Sequence, residues 1–193
     1  MTTPTPSLRR RLRDARRGLD EEEQIEAARA VADRLAPLLR DPPPMVAGYI
    51  AADGELRIDG VLDALRARGS TVALPRLDGD RMTFHVVATD DDLVPGEWGL
   101  TEPRADAPVA APEALHLVLT PLVGFDRARH RIGRGRGYYD RHFAFLNSDP
   151  RPRLPRMVGI AHDVQLVDAL PIHDHDVRLD AVVTPTTILG TLR

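Results

Sequence analysis

The chain has 193 residues, 42% of them hydrophobic, and a formal net charge of −3. That suffices for the core of one ordinary domain spanning 1–193, and it gives no global attraction to nucleic acid or an anionic membrane, so any anion site must be local. There is no cysteine and no lysine, all 26 basic residues being arginine, which excludes disulfides, thiolate nucleophiles, Schiff bases and a P-loop lysine.

Ser7 is placed to cap a first helix running through Gly18. Asp20 is placed to cap a second, running to about Leu39. The N-terminal arginines run into Asp14, Asp20, Glu21, Glu22 and Glu23, unlike a transit peptide, and no secretory apolar core precedes them. The cytoplasm is therefore the expected location. In the second helix Ile25, Ala28, Val31, Ala32, Leu35 and Leu39 share one face, and the Pro42-Pro43-Pro44 run stops it. Met45 to Ile50 reads as a buried strand, and Ile58, Val61, Leu62 and Leu65 mark a helix that stops at Gly69. Thr71 to Leu74 and Met82 to Val87 read as further strands. The polar, proline-containing stretch from Asp90 to Pro112 reads as a long loop. Leu115 to Leu119 is a fourth strand, Tyr138 to Leu146 a helix, and Met157 to Ile160 and Ala181 to Val183 complete a sheet. No apolar run is long enough to span a bilayer. Short apolar strands between helices predict an α/β fold, its mainly parallel sheet covered by helices on both faces. Ligands in such folds bind beyond the carboxyl ends of strands, where the stretch from Phe125 to Tyr139 falls.

That stretch contains Gly133-Arg134-Gly135-Arg136-Gly137-Tyr138-Tyr139-Asp140. Glycines let backbone N–H groups converge, and arginines present forked donors that fit phosphate oxygens. A helix starting at Tyr138 would add its N-terminus, and Asp140 could hold a metal ion shared with the phosphates. The pattern points to a polyanion pocket. The plainer alternative is a solvated arginine-rich loop with Asp140 answering the helix dipole. The loop matches neither a P-loop nor the dinucleotide fingerprint. His173-Asp174-His175-Asp176 offers two metal readings. In an extended segment the histidines share one face, suited to zinc, and the aspartates the other, suited to Mg²⁺.

Gly124-Phe125-Asp126 followed by Arg131-Ile132-Gly133-Arg134-Gly135-Arg136-Gly137-Tyr138-Tyr139-Asp140 resembles the signature of the 5-formyltetrahydrofolate cyclo-ligase family. The resemblance extends over nearly the whole chain. It takes in Arg9 to Arg13, Tyr49 to Glu55, Thr71 to Arg76, Gly99-Leu100-Thr101-Glu102-Pro103, Val158 to Ala161, Gln165, Leu170-Pro171, Asp176 and Asp180, in the family's order. It implies a three-layer fold like that of sugar-phosphate isomerases and CoA-transferases. It also implies ATP- and Mg²⁺-dependent cyclisation of 5-formyltetrahydrofolate to 5,10-methenyltetrahydrofolate, with release of ADP and phosphate. By the same resemblance, Arg9, Arg13, Arg131, Gly133, Arg134, Gly135, Arg136, Gly137, Tyr138 and Tyr139 would bind ATP. Arg9 stands where the family usually has lysine. Arg134 and Arg136 would be catalytic, stabilising charge between the γ-phosphate and the formyl oxygen. Ile50, Glu55, Arg134 and Tyr138 would contact the folate, with Trp98 as a further candidate. Asp140 and Asp176 would hold Mg²⁺. The partners would be small molecules only, and the protein a monomer. Two other readings remain open here: a sugar-phosphate isomerase on a similar sheet, and a non-catalytic module that binds ATP or folate.

Overall fold

In this computed structural model the described residues are 6–89, 92–96 and 99–192. The organising element is an eight-stranded sheet. Its five central strands are parallel, in the order β12 (Ala181–Val183), β10 (Arg156–Ile160), β7 (Leu117–Pro121), β1 (Met45–Ala47) and β2 (Thr71–Asp78). Antiparallel strands close both edges. β3 (Arg81–Val86) and β6 (Val109–Ala110) lie beyond β2, and β13 (Ile188–Gly190) beyond β12.

Side chains alternate across this sheet. Val46, Val72, Leu117, Leu119, Val158 and Val183 point into one core. Ala47, Ala73, Val118, Met157 and Val182 point into the other. The first core is roofed by α2 (Glu21–Leu35), a 3₁₀ turn at Ala36–Leu39 and α3 (Asp59–Ala67). The second has a thinner roof: α4 (Tyr138–His142), a 3₁₀ turn at Ala144–Asn147, and loops bringing Leu122, Val177 and Leu179. Gly159 shows how close that roof sits, because a Cβ there would lie 2.7 Å from Leu122 and from Leu179. The fold is therefore α/β, with a mostly parallel sheet between two layers, as the strand and helix pattern predicts.

Local chemistry explains where the element bounds differ from that pattern. Asp20 does cap α2, and Glu23 completes a reciprocal capping box. The helix yields to the 3₁₀ turn because Pro37 lacks the N–H that an α-helix would need there. Ser7 is not a cap, since α1 (Pro6–Arg17) starts one residue earlier, on a proline suited to a first helical position. The helix expected over Tyr138 to Leu146 breaks at Phe143. β1 stops at Ala47, three residues short of Ile50, because the chain there turns away to line the cleft described below. The stretch from Asp90 to Pro112 is not a bare loop. It contains the β4 (Leu93–Pro95) and β5 (Thr101–Pro103) hairpin and edge strand β6. The stretch from Phe125 to Tyr139 likewise contains part of a small sheet of β8 (Gly124–Asp126), β9 (Arg131–Ile132) and β11 (Leu166–Val167). These strands are two or three residues long, too short for a readable alternation.

The topology positions a site. β2 lies on one side of β1 and β7 on the other, so the chain's direction across the sheet reverses at β1. Crevices form beyond the carboxyl ends of strands at such a reversal. Here the loops leaving β1 and β7 flank the crevice, and α1 lies across them.

Candidate active site

The crevice opens as a cleft of about 610 Å³. Every site residue expected from the sequence other than Trp98, from Arg9, Arg13, Ile50 and Glu55 through the glycine loop to Asp140 and Asp176, lines it. Trp98 lies outside the described residues.

One end is the loop Gly133–Gly137, strung between β9 and α4. Gly135 has φ +102° and Gly137 φ +64°, which side-chain-bearing residues rarely adopt. The loop is braced from outside. Arg141 donates to the Arg136 carbonyl at 2.6 Å and to the Asp80 carbonyl at 2.9 Å, and the Tyr138 hydroxyl donates to the Gly79 carbonyl at 2.7 Å. Arg9 reaches across from α1 and donates to the Gly133 carbonyl at 3.1 Å. The two tyrosines divide their work. Tyr138 sits at the rim with the Arg141 guanidinium 5.5 Å from its ring centre. Tyr139 packs inward on Phe84 and Phe143, and burial raises its phenol pKa. With only five residues, α4 supplies little macrodipole, so loop backbone and arginines carry the attraction for an anion rather than the helix N-terminus expected from the sequence.

Beside the loop, Arg131 donates to Asp140 Oδ1 at 2.6 Å, and the Val177 amide donates to the same oxygen at 3.1 Å. That second bond brings the segment carrying Asp176 against Asp140. His173–Asp176 is a turn, not an extended strand, since the Asp176 amide donates to the His173 carbonyl at 2.9 Å. The alternate-face expectation therefore fails. His173, His175 and Asp176 all face the cleft, and the two imidazoles stack 5.4 Å apart. Among the described residues no group of three or more His, Asp or Glu gathers as a metal cage. Two carboxylates beside an anion loop suit a hard divalent cation that takes its other ligands from phosphate oxygens and water.

Facing the glycine loop stands the loop after β1. Glu55 Oε2 accepts from the Ala52 amide at 3.1 Å, while Oε1 accepts from Arg134 at 3.0 Å and from Arg16 at 3.4 Å. Asp53 accepts from Arg13 at 2.8 Å and from Arg16 at 3.0 Å, and it also pairs with Arg17. Partial burial pushes the Asp53 carboxyl up, but the bonds from Arg13 and Arg17 and the charges of Arg13 and Arg16 outweigh it and hold the pKa below the ordinary value. Arg16 and Asp53 went unread in the sequence. The signal was Arg16 at the same helical face as Leu8 and Leu12, the stripe that should be apolar.

The crevice at the topological reversal, with five arginines along it (Arg9, Arg13, Arg131, Arg134 and Arg136), puts the protein in the class of α/β folds with an arginine-lined cleft beyond the carboxyl ends of the sheet strands. Comparison with known proteins narrows the class. The sequence profile of the 5-formyltetrahydrofolate cyclo-ligase family matches residues 2–185. The 5-formyltetrahydrofolate cyclo-ligase of Escherichia coli K12 is 33% identical over 188 residues, covering 92% of this chain and 98% of the relative. The solved structure of Aquifex aeolicus 5,10-methenyltetrahydrofolate synthetase superposes with a TM-score of 0.80 at 26% identity, covering 95% of this chain and 91% of the other. A Mycoplasma pneumoniae 5,10-methenyltetrahydrofolate synthetase shares the fold, with a TM-score of 0.74 at 23% identity over 93% and 97% of the two chains. The chain thus belongs to the 5-formyltetrahydrofolate cyclo-ligase family and is an enzyme of that family.

Proposed function

We propose that the protein catalyses the ATP- and Mg²⁺-dependent cyclisation of 5-formyltetrahydrofolate to 5,10-methenyltetrahydrofolate, releasing ADP and phosphate. The observation that carries this reading is Arg134. It belongs to the glycine loop, yet its guanidinium lies 3.0 Å from Glu55 on the facing wall. A phosphate on the loop and a ring on the Glu55 wall would therefore meet at one point, as direct phosphoryl transfer requires.

The formyl oxygen attacks the γ-phosphorus and ADP leaves. N10, losing its proton, attacks the activated formyl carbon, and phosphate leaves as the ring closes. The loop amides, Arg9, Arg13 and Arg131 hold the triphosphate, while Tyr138 and Tyr139 shape the loop. Arg134 and Arg136 stabilise the charge that moves between phosphate and formyl oxygen. Glu55, an acceptor at its carboxylate, takes the N–H edge of the pterin against Ile50. Mg²⁺ at Asp140 and Asp176 would neutralise the phosphates. No step needs a covalent nucleophile, in keeping with a chain that has neither cysteine nor lysine. In this reading residues 1–193 form one catalytic domain, a cytoplasmic monomer with small-molecule partners. No helix among the described residues is long and apolar enough to cross a membrane.

The test mixes purified protein with 5-formyltetrahydrofolate, ATP and Mg²⁺ and follows the near-ultraviolet absorbance of the methenyl product. Growth that needs all three and stops with EDTA supports the reading. No growth refutes it.

A further inference from the structure

We infer that Arg16 is the positioning residue of the folate wall, holding the Glu55 carboxylate in place whether or not Arg134 is bound to it. The inference rests on the proposed role of Glu55. Arg16 has no exposed surface, so it touches no ligand. Its guanidinium instead donates to the Asp53 carbonyl at 2.8 Å, to Asp53 Oδ2 at 3.0 Å, to the Leu122 carbonyl at 3.0 Å and to Glu55 Oε1 at 3.4 Å. Asp53 and Glu55 stand on the loop leaving β1, and Leu122 stands just past β7. One planar fork therefore ties together the two loops that flank the crevice, a geometry that a single-point ammonium cannot reproduce.

Two further observations separate this from an ordinary helix-to-loop staple. First, Arg16 and Arg134 share Glu55 Oε1, one fully buried and the other 39% exposed in its side chain. When Arg134 turns to a phosphate, Arg16 stays on Glu55, and the Ala52 amide keeps the other oxygen oriented. Second, the loop is seated on the helix with no slack. Gly54 has φ +73°, and a Cβ there would lie 3.1 Å from the Arg16 carbonyl and 3.2 Å from Arg17 Cα. The side chain of Arg16 is thus the fixed point from which Glu55 is aimed.

Arg16→Lys keeps the charge and is the working variant, with Arg16→Met beside it where that variant folds. Calorimetry with Mg-ATP alone and with 5-formyltetrahydrofolate alone reads the two ends separately. Arg16→Lys should weaken folate binding by about tenfold, and Arg16→Met by more, on the scale of a mis-set buried hydrogen-bond partner. Mg-ATP affinity should stay within about twofold, which also reports a folded protein. In steady state KM for the folate should rise more than kcat falls. In a Glu55→Gln background, Arg16→Lys should add less than about twofold, because the residue acts through Glu55. Unchanged folate affinity in Arg16→Lys, an equal loss for both ligands, or the same loss with and without Glu55 overturns the inference. If Glu55→Gln alone leaves folate affinity intact, the folate-wall reading falls and this inference falls with it. A Glu55→Gln loss beside a normal Arg16→Lys sinks this inference only.

Discussion

At the glycine-loop end of the cleft, Arg134 and Arg136 are exposed and the backbone is shaped by two left-handed glycines. At the Glu55 end, the carboxylates of Asp53 and Glu55 are about one-tenth exposed, each held by more than one arginine. The first end offers donors that can re-aim toward an incoming anion. The second is already fixed before any ligand arrives. The proposed reaction, which moves a phosphoryl group onto the formyl oxygen of a bound folate, needs both: charge that can follow the group, and a rigid acceptor where the ring must not shift. α1 joins them, with Arg9 on the Gly133 carbonyl and Arg13, Arg16 and Arg17 on Asp53.

The largest effect that would break this contrast is at Arg136. Arg136→Ala should lower kcat by about a hundredfold or more, the scale for one charge stabiliser, with folate affinity less affected. Near-normal turnover in stopped-flow or steady-state assays would place Arg136 outside the chemistry. Next comes Glu55→Gln, which should weaken 5-formyltetrahydrofolate binding about ten- to a hundredfold and leave ATP affinity nearly unchanged. Calorimetry with each ligand alone checks it, and an equal loss for both would erase the division of the cleft. Gly135→Ala should then cost Mg-ATP about tenfold in affinity, because an alanine at φ +102° is strained by about 1–2 kcal/mol. Folate binding serves as its control.

The smallest effect concerns stability. The folded pKa of Asp53 is depressed, so the unfolded chain binds the extra proton first as pH falls. Its stabilisation is fully present above the unfolded value of about 3.9 and is lost as pH drops through the lower folded value. Asp53 sits at φ +61°, which asparagine tolerates, so Asp53→Asn isolates the charge. At neutral pH it should melt about 2–4 °C lower, the shift for about 1 kcal/mol in a chain of this size. The gap to wild type should start to narrow below about pH 4 and close as pH falls through the lower folded value. Melting curves across pH decide it: a gap that persists into acid would mean the three arginines do not act through the carboxylate's charge.

The central strands were legible because runs such as Leu117–Leu119 and Val158–Ile160 are apolar on both faces, as a covered parallel strand must be. The edges were not. β6, β9 and β11 have two residues each, and their pairing is set by neighbours distant in sequence rather than by local pattern. The glycine loop with Asp140 and the His173–Asp176 cluster stood out because unusual residue types recur there at close spacing, whereas Glu55 was singled out only through the family resemblance. Arg16 was hidden among Arg9, Arg10, Arg11, Arg13 and Arg17, where charge alone does not distinguish the buried member. Only its position on the helical stripe of Leu8 and Leu12 marks it.

The claim that phosphate and folate meet at one point can be tested by following oxygen. In the proposed reaction the formyl oxygen attacks the γ-phosphorus and later departs with it, so the experiment uses 5-formyltetrahydrofolate labelled by oxygen-18 in the formyl group. Mass spectrometry of the released phosphate should therefore find the label there in proportion to the methenyl product formed. Methenyl product accompanied by unlabelled phosphate would contradict direct transfer and the arrangement of the cleft on which it rests.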